Sequence, residues 1–176
     1  MKRQGIQSKV NEILLGDFNK LIDAGCERLG LLCNQIKGGI DKVQEKVTLP
    51  ILVYDDVLAE RAVAVTPDGG KIAVAAMNTA APGPAKLAVE AAANRAGKRI
   101  KAETIFLESA KNCLDETGST ELADQYVERW LRENQHKYNA IILPQVPLTR
   151  LMPRLRDMDT PVFDSMEPFV NELAKQ

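Results

Sequence analysis

The chain has 176 residues, 45% of them apolar and 27% charged, which suits one ordinary domain or two small lobes with a real core. Its formal net charge of -1 gives no general attraction to nucleic acid or to an anionic membrane, and no apolar run nears the roughly 20 residues that span a bilayer. Neither kind of partner is expected. Three widely spaced cysteines without a CxxC pair, and a single histidine, His136, argue for a reducing, cytoplasmic compartment and against a disulfide scaffold or a structural zinc.

The start, Met1-Lys2-Arg3-Gln4-Gly5, carries charge but no apolar stretch after it, so it does not read as a secretory signal. Val10, Ile13, Leu14, Phe18, Leu21 and Ile22 recur at helical spacing, and Gly25 suits the helix stop. Leu29–Leu32 reads as a short buried strand. Ile36, Ile40, Val43 and Val47 give a second helix ending before Pro50, then Ile51–Tyr54 a strand and Asp55–Val65 a helix. Thr66-Pro67-Asp68-Gly69-Gly70 is a turn cluster and the best internal boundary.

Beyond it, Ile72–Ala76 is a strand, and a loop with Asn78, Thr79, Pro82, Gly83 and Pro84 leads into an alanine-rich helix from Ala85 to Ala96. Ile100–Phe106 reads as a strand. Glu121 to Gln135 is a helix with Ala123, Tyr126, Val127, Trp130 and Leu131 inward. Asn139–Pro144 and Thr160–Asp164 are further strands, and a helix from Met166 to Ala174 follows.

Buried strands alternating with helices predict an α/β fold with parallel sheets flanked by helices. Ligands in such folds bind beyond the carboxyl ends of the strands. Cys33, Asp55, Asn78, Gln145 and Asp164 all stand there. Cys33 is the most informative of them, because a thiol facing a helix N-terminus is favoured as thiolate. The competing reading is a buried, inert core thiol. Cys26 and Cys113 fall in helix-like segments and read as structural. His136 lies in a polar connection, Trp130 reads as core, and Arg150, Arg154 and Arg156 read as a solvated face, with carboxylate binding as the alternative. Gly38-Gly39 and Gly69-Gly70 form no nucleotide-binding pattern.

In order along the chain, these segments resemble the aspartate/glutamate/hydantoin racemase superfamily. Leu31-Leu32-Cys33-Asn34, a helix and then Pro50-Ile51-Leu52-Val53 resemble its apolar-Cys-Asn-Thr segment and the following Pro-Val-Val strand. Ile72-Ala73-Val74 with the Asn78/Thr79 loop is similar to the strand opening its second lobe, where a Thr-rich loop holds substrate carboxylate. Leu114-Asp115-Glu116-Thr117-Gly118 is similar to an acidic-Glu-Gly stretch, Asn139–Leu143 to the strand carrying the second cysteine, and Pro161-Val162-Phe163-Asp164-Ser165 to the closing strand.

The resemblance implies two pseudo-symmetric lobes, here 1–65 plus 160–176 and 66–159, with the site between them. It implies cofactor-free, metal-free chemistry in which two cysteines face each other across the α-carbon. Cys33 would be the base or nucleophile. Asn34, Gln35, Asn78, Thr79 and Gln145 would bind a small carboxylate or amino acid, and Glu116 is the candidate auxiliary acid. The chain departs from the family in two places. Gln145-Val146-Pro147 stands where Cys-Thr-His is usual, and glutamine accepts no proton at physiological pH. The family's first strand, with its Asp-Ser-Gly pair, has no counterpart before Leu29, and Gln35 replaces a Thr or Ser. The chain is therefore either a shortened, divergent relative or a truncated product. A one-base isomerase or lyase is expected, with a catalytically inactive binding or regulatory module as the alternative. A sheet without its edge strand exposes backbone and apolar surface, so a homodimer or larger assembly through the shortened lobe is expected as well.

Overall fold

The protein is described by a computed structural model covering residues 2–33, 36, 39–164 and 166–175. Helix α1 (Lys2–Asp23) stops where glycine permits it. Gly25 takes φ +87°, its N–H bonds to the Ile22 carbonyl at 2.9 Å, and the Cys26 N–H reaches back to Leu21 at 3.0 Å. That pair of bonds satisfies the last carbonyls of the helix.

Strand β1 (Leu29–Leu31) pairs in parallel with β2 (Ile51–Val53), Leu29 opposite Ile51 and Leu31 opposite Val53. Between them α2 covers only Ile40–Gln44, not the span from Ile36 to Val47 that the apolar spacing predicts. Gly39 sets its start at φ +91°. Gln44 sets its end, where the side-chain amide donates to the Leu49 carbonyl at 3.0 Å and accepts from the Ile51 N–H at 2.7 Å. Those bonds lead the chain into β2 instead of another turn. Phe18, Leu29, Leu31, Ile40, Val43, Val47 and Val53 form the core of this small unit.

Helix α3 (Tyr54–Val65) follows without a loop. After it come β3 (Lys71–Ala76), α4 (Pro82–Arg95), β4 (Lys101–Phe106), α5 (Glu108–Thr117), α6 (Thr120–Asn134), β5 (Ala140–Ile142), a 3-10 stretch (Val146–Arg154), β6 (Val162–Phe163) and α7 (Met166–Ala174). The second sheet is wholly parallel with strand order β4-β3-β5-β6. Alternation along β3 serves two layers. Ile72 and Val74 meet α3, α4 and α7, whereas Ala73 and Ala75 meet α6 and the 3-10 stretch. On the first face Ala59, Ala62, Ala85, Ala88 and Ala92 are all buried, so α3 and α4 approach each other and the sheet closely.

The strands at the two ends of the chain lie in different sheets. β6 pairs with β5, Ile141 opposite Val162 and Ile142 opposite Phe163, and so joins the four-stranded sheet. Tyr54, Leu58, Ala62 and Val63 put α3 in the same core. The Thr66–Gly70 turn reverses the chain within this unit. It is held by Lys98, whose ammonium donates to the Val63 and Thr66 carbonyls at 2.8 Å each. Helix α7 joins both units. Phe169 packs edge-on to Tyr54, ring centres 6.1 Å apart, and also lies against Gly30 of β1. No helix among the described residues is long and apolar enough to cross a membrane.

Candidate functional site

Parallel strands put all their carboxyl ends on one edge of a sheet. In the larger sheet β3 runs on to β4 on one side, while the chain returns through α5 and α6 to β5 on the other. The strand order therefore reverses between β3 and β5, and a crevice at such a switch point is where α/β sheets bind ligands. Asn78 and Gln145 follow these two strands directly.

Gln145, half-buried, turns its carbonyl oxygen onto the Met77 N–H at 2.6 Å. This bond ties the two strand ends together and leaves the amide NH2 as the group with hydrogens to offer. Asn78 organises the loop ahead of α4, its side-chain oxygen accepting the N–H groups of Ala80 at 3.1 Å and Ala81 at 2.7 Å. That is an Asx turn, and here too the amide NH2 is left as donor. Thr79 is exposed beside it. Pro82 and Pro84 open α4, where missing N–H groups cost little.

Asp164 closes the same edge, at the end of β6. It is buried. Burial pushes its carboxyl pKa up from the ordinary value and Glu167 adds to the rise, whereas the nearby Thr149 hydroxyl and the charge of Arg61 act against it. Arg61 also lies over the Phe163 ring, 5.8 Å from its centre. Thr149 and Arg61 are the residues sequence reasoning missed here. Thr149 sits in the 3-10 stretch and Arg61 on α3, and no motif in the sequence singles out either. Asp55, at the end of β2, is buried as well.

Cys33 lies two residues past β1 and is exposed, which removes the buried-thiol reading. Most of the residues directly after it, on which the expected capping helix rests, lie outside the described residues, and the next α-helix described begins at Ile40 and is five residues long. Asn34 and Gln35 lie outside the described residues. Cys26 is exposed in the turn after α1, not a core thiol, and Cys113 is partly covered, its sulfur 3.9 Å from the Thr117 hydroxyl.

Glu116 stands apart from the strand-end groups. It is exposed in the last turn of α5, beside a hollow lined by Ser109, Cys113, Thr117 and Tyr126. Two of the three arginines are already engaged: Arg150 with the buried Asp124 at 2.6 Å and Arg154 with Glu121 at 2.7 Å. Arg156 is exposed. Among the described residues no three His, Cys, Asp or Glu side chains stand close enough to hold a metal ion. Surface hollows of about 410 Å³ each lie between Phe106, Tyr126 and Trp130 and between Arg28, Ile51 and Leu173, and a wider one of about 750 Å³ lies between Cys26, Arg28 and Lys175.

No protein-family model matches the chain, and no curated protein matches it in sequence. Solved structures do match it in fold. A putative Asp/Glu racemase from Yersinia pestis superposes with a TM-score of 0.71 at 18% identity, over 98% of this chain and 76% of that one. Glutamate racemase RacE1 from Bacillus anthracis gives 0.66 at 18% identity, over 96% of this chain. The chain spans 64% of the length of that racemase. Glutamate racemase from Francisella tularensis, solved with D-glutamate, gives 0.59 at 15% identity, over 97% of this chain and 67% of the other. The fold is that of the aspartate/glutamate racemases, as the ordered motifs led us to expect.

Proposed function

We propose that the protein binds a small carboxylate or amino acid at the carboxyl ends of its strands, with Cys33 as its candidate base or nucleophile. The observation that carries this reading is the pair of amide side chains at the switch point. Asn78 and Gln145 both commit their oxygens to backbone N–H groups, so both present donors, and two donors beside an exposed threonine suit a carboxylate. Asn34 and Gln35 would add donors next to Cys33. The racemase of like fold solved with D-glutamate supports the same ligand class.

The chemistry favoured is one-base and cofactor-free: proton exchange with retention, decarboxylation or cis-trans isomerisation. Inversion needs bases on both faces, and Gln145 is no base. A missing base removes roughly 10²–10⁴-fold in rate. The second reading, a catalytically inactive binding or regulatory module, is favoured by Gln145 standing where a second base would be needed. We place the protein in the cytoplasm on its cysteine usage.

Proton NMR in deuterated buffer with D- and L-glutamate and aspartate tests this reading. Line broadening of a ligand with slow α-deuteration and no inversion is the expected result. Rapid deuteration with inversion would make it a two-base racemase. No binding of any small carboxylate at millimolar concentration would remove the site itself.

A further inference from the structure

Leu122, Tyr126 and Trp130 stand four residues apart on α6, so they form one stripe about 12 Å long. Helical spacing alone places Tyr126 and Trp130 inward, yet Tyr126 is 42% exposed, Leu122 43%, and Phe106 at the end of β4 also 43%. Two hollows run along this stripe with Ser109 and Tyr126 as their common wall. One, of about 410 Å³, holds Phe106 and Trp130 with Glu108 and Glu133; the other, of about 420 Å³, holds Leu122 with Glu116. A pocket for a small molecule encloses most of its ligand. These hollows are shallow and end to end, which suits a chain lying across both.

We propose that this groove docks an arginine-bearing segment of a partner protein. Charge fixes the chemistry. Neighbouring acids are already engaged: Glu128 holds Arg132 at 2.9 Å, Glu121 holds Arg154 at 2.7 Å, and Asp115 holds Lys111. Glu108, Glu116 and Glu133 are exposed and join no ion pair among the described residues. Arg129 is the one cation lining either hollow among the described residues. It rests on the Tyr126 ring, 5.5 Å from its centre, which shows how a guanidinium sits on this face. A second guanidinium can lie on Phe106 or Trp130 and still donate to a carboxylate, whereas a lysine ammonium holds its water more tightly.

Length sets the spacing. Side chains two and four residues apart on an extended chain share one face, about 13 Å from first to last. Two arginines four residues apart, with an apolar residue midway, therefore match carboxylates at both ends and the rings between. A second copy of this chain offering the same surface would set acid against acid. The inference stands whether or not a carboxylate binds at the switch point. It also gives Glu116, remote from the strand-end groups, a use.

Trp130 is the only tryptophan, so intrinsic fluorescence reads the groove directly. The probe is acetyl-Arg-Ala-Leu-Ala-Arg-amide, titrated into the full chain. The expected result is a saturable shift of Trp130 emission below about 1 millimolar peptide, weakened severalfold by about 0.5 M salt. Lysine in place of both arginines should weaken binding about fivefold, and glutamate should abolish it. Glu116→Gln combined with Glu133→Gln should weaken binding about tenfold, with unchanged far-UV circular dichroism. No saturable shift, or one indifferent to the double substitution, would overturn the proposal. Equal binding of the lysine peptide would overturn the choice of arginine. A dimer that the double substitution strengthens would make the surface a contact between copies and overturn it too.

Discussion

Cys33 and Cys26 are both exposed, which makes them natural controls for each other. An ordinary thiol with a pKa near 8.5 is only a few per cent thiolate at neutral pH. A thiol that serves as base or nucleophile outpaces an exposed thiol without that role, and Cys26, in the turn after α1, is the exposed comparison. Timed iodoacetamide labelling with peptide mapping should therefore modify Cys33 fastest and the partly covered Cys113 slowest. Equal rates at Cys33 and Cys26 would reduce Cys33 to a surface thiol and put the inactive-module reading ahead. Asp164 makes a different point. Its folded-state pKa is raised, mainly by burial, so the folded protein holds that proton more tightly than the unfolded chain does. The resulting stability is fully present below the ordinary Asp value and is lost as pH rises through the folded pKa. Asp164→Asn should accordingly be more stable than wild type at neutral pH, with the gap closing near about pH 3, where both chains are neutral at that position. Urea midpoints across that range measure it. A less stable variant at neutral pH would mean that Thr149 and Arg61 outweigh the burial.

Two glycines separate packing from propensity at the level of the elements. A β-carbon on Gly30 would stand 2.7 Å from the Phe169 ring tip and 3.1 Å from a Leu173 methyl. Phe169 is itself buried and has little room to move. Gly30→Ala should cost about 1–3 kcal/mol through overpacking between β1 and α7. Gly16, inside α1, meets nothing within 4 Å. Gly16→Ala should add about 0.5–1 kcal/mol by improving helix propensity. Chemical denaturation of both variants checks the signs, and a neutral Gly30→Ala would show that α7 does not press on β1. Element prediction from the sequence failed for related reasons. The apolar spacing through Ile36, Ile40, Val43 and Val47 matches a helix, but Gln44 takes over the backbone bonds that would have extended it. Val146–Arg154 was given no element of its own: Leu148, Leu151, Met152 and Leu155 recur at helical spacing, but Pro147 and Pro153 lack the N–H that a regular α-helix would use.

For the whole molecule, the two sheets differ in the protection they offer. β3 and β5 are central strands, buried on both faces. The β1–β2 sheet has two strands and one shared core, and a two-stranded sheet is marginal by itself. Native-state hydrogen exchange should find the β3 and β5 amides most protected and those of β1 and β2 opening at lower free energy. Equal protection would mean that α3 and α7 weld the two units into one cooperative body.

The alternation of short apolar runs with helical periodicity was enough to read an α/β fold with parallel sheets, because strands buried on both faces must be apolar throughout. It also placed Asn78, Gln145 and Asp164 just past strand ends, and the order of weak motifs along the chain pointed to the racemase fold. Local pattern carries no record of which strands pair. Only the tertiary structure assigned β6 and α3 to the larger unit, since that depends on which faces bury each other and not on where a Pro-Gly turn falls. It alone exposed Cys33, committed the oxygens of Asn78 and Gln145 to backbone donors, engaged Arg150 and Arg154, and set Glu116 apart. The Gln145, Arg150 and Arg154 bonds join residues 68, 26 and 33 positions apart, and spacing along a chain does not encode distance across it.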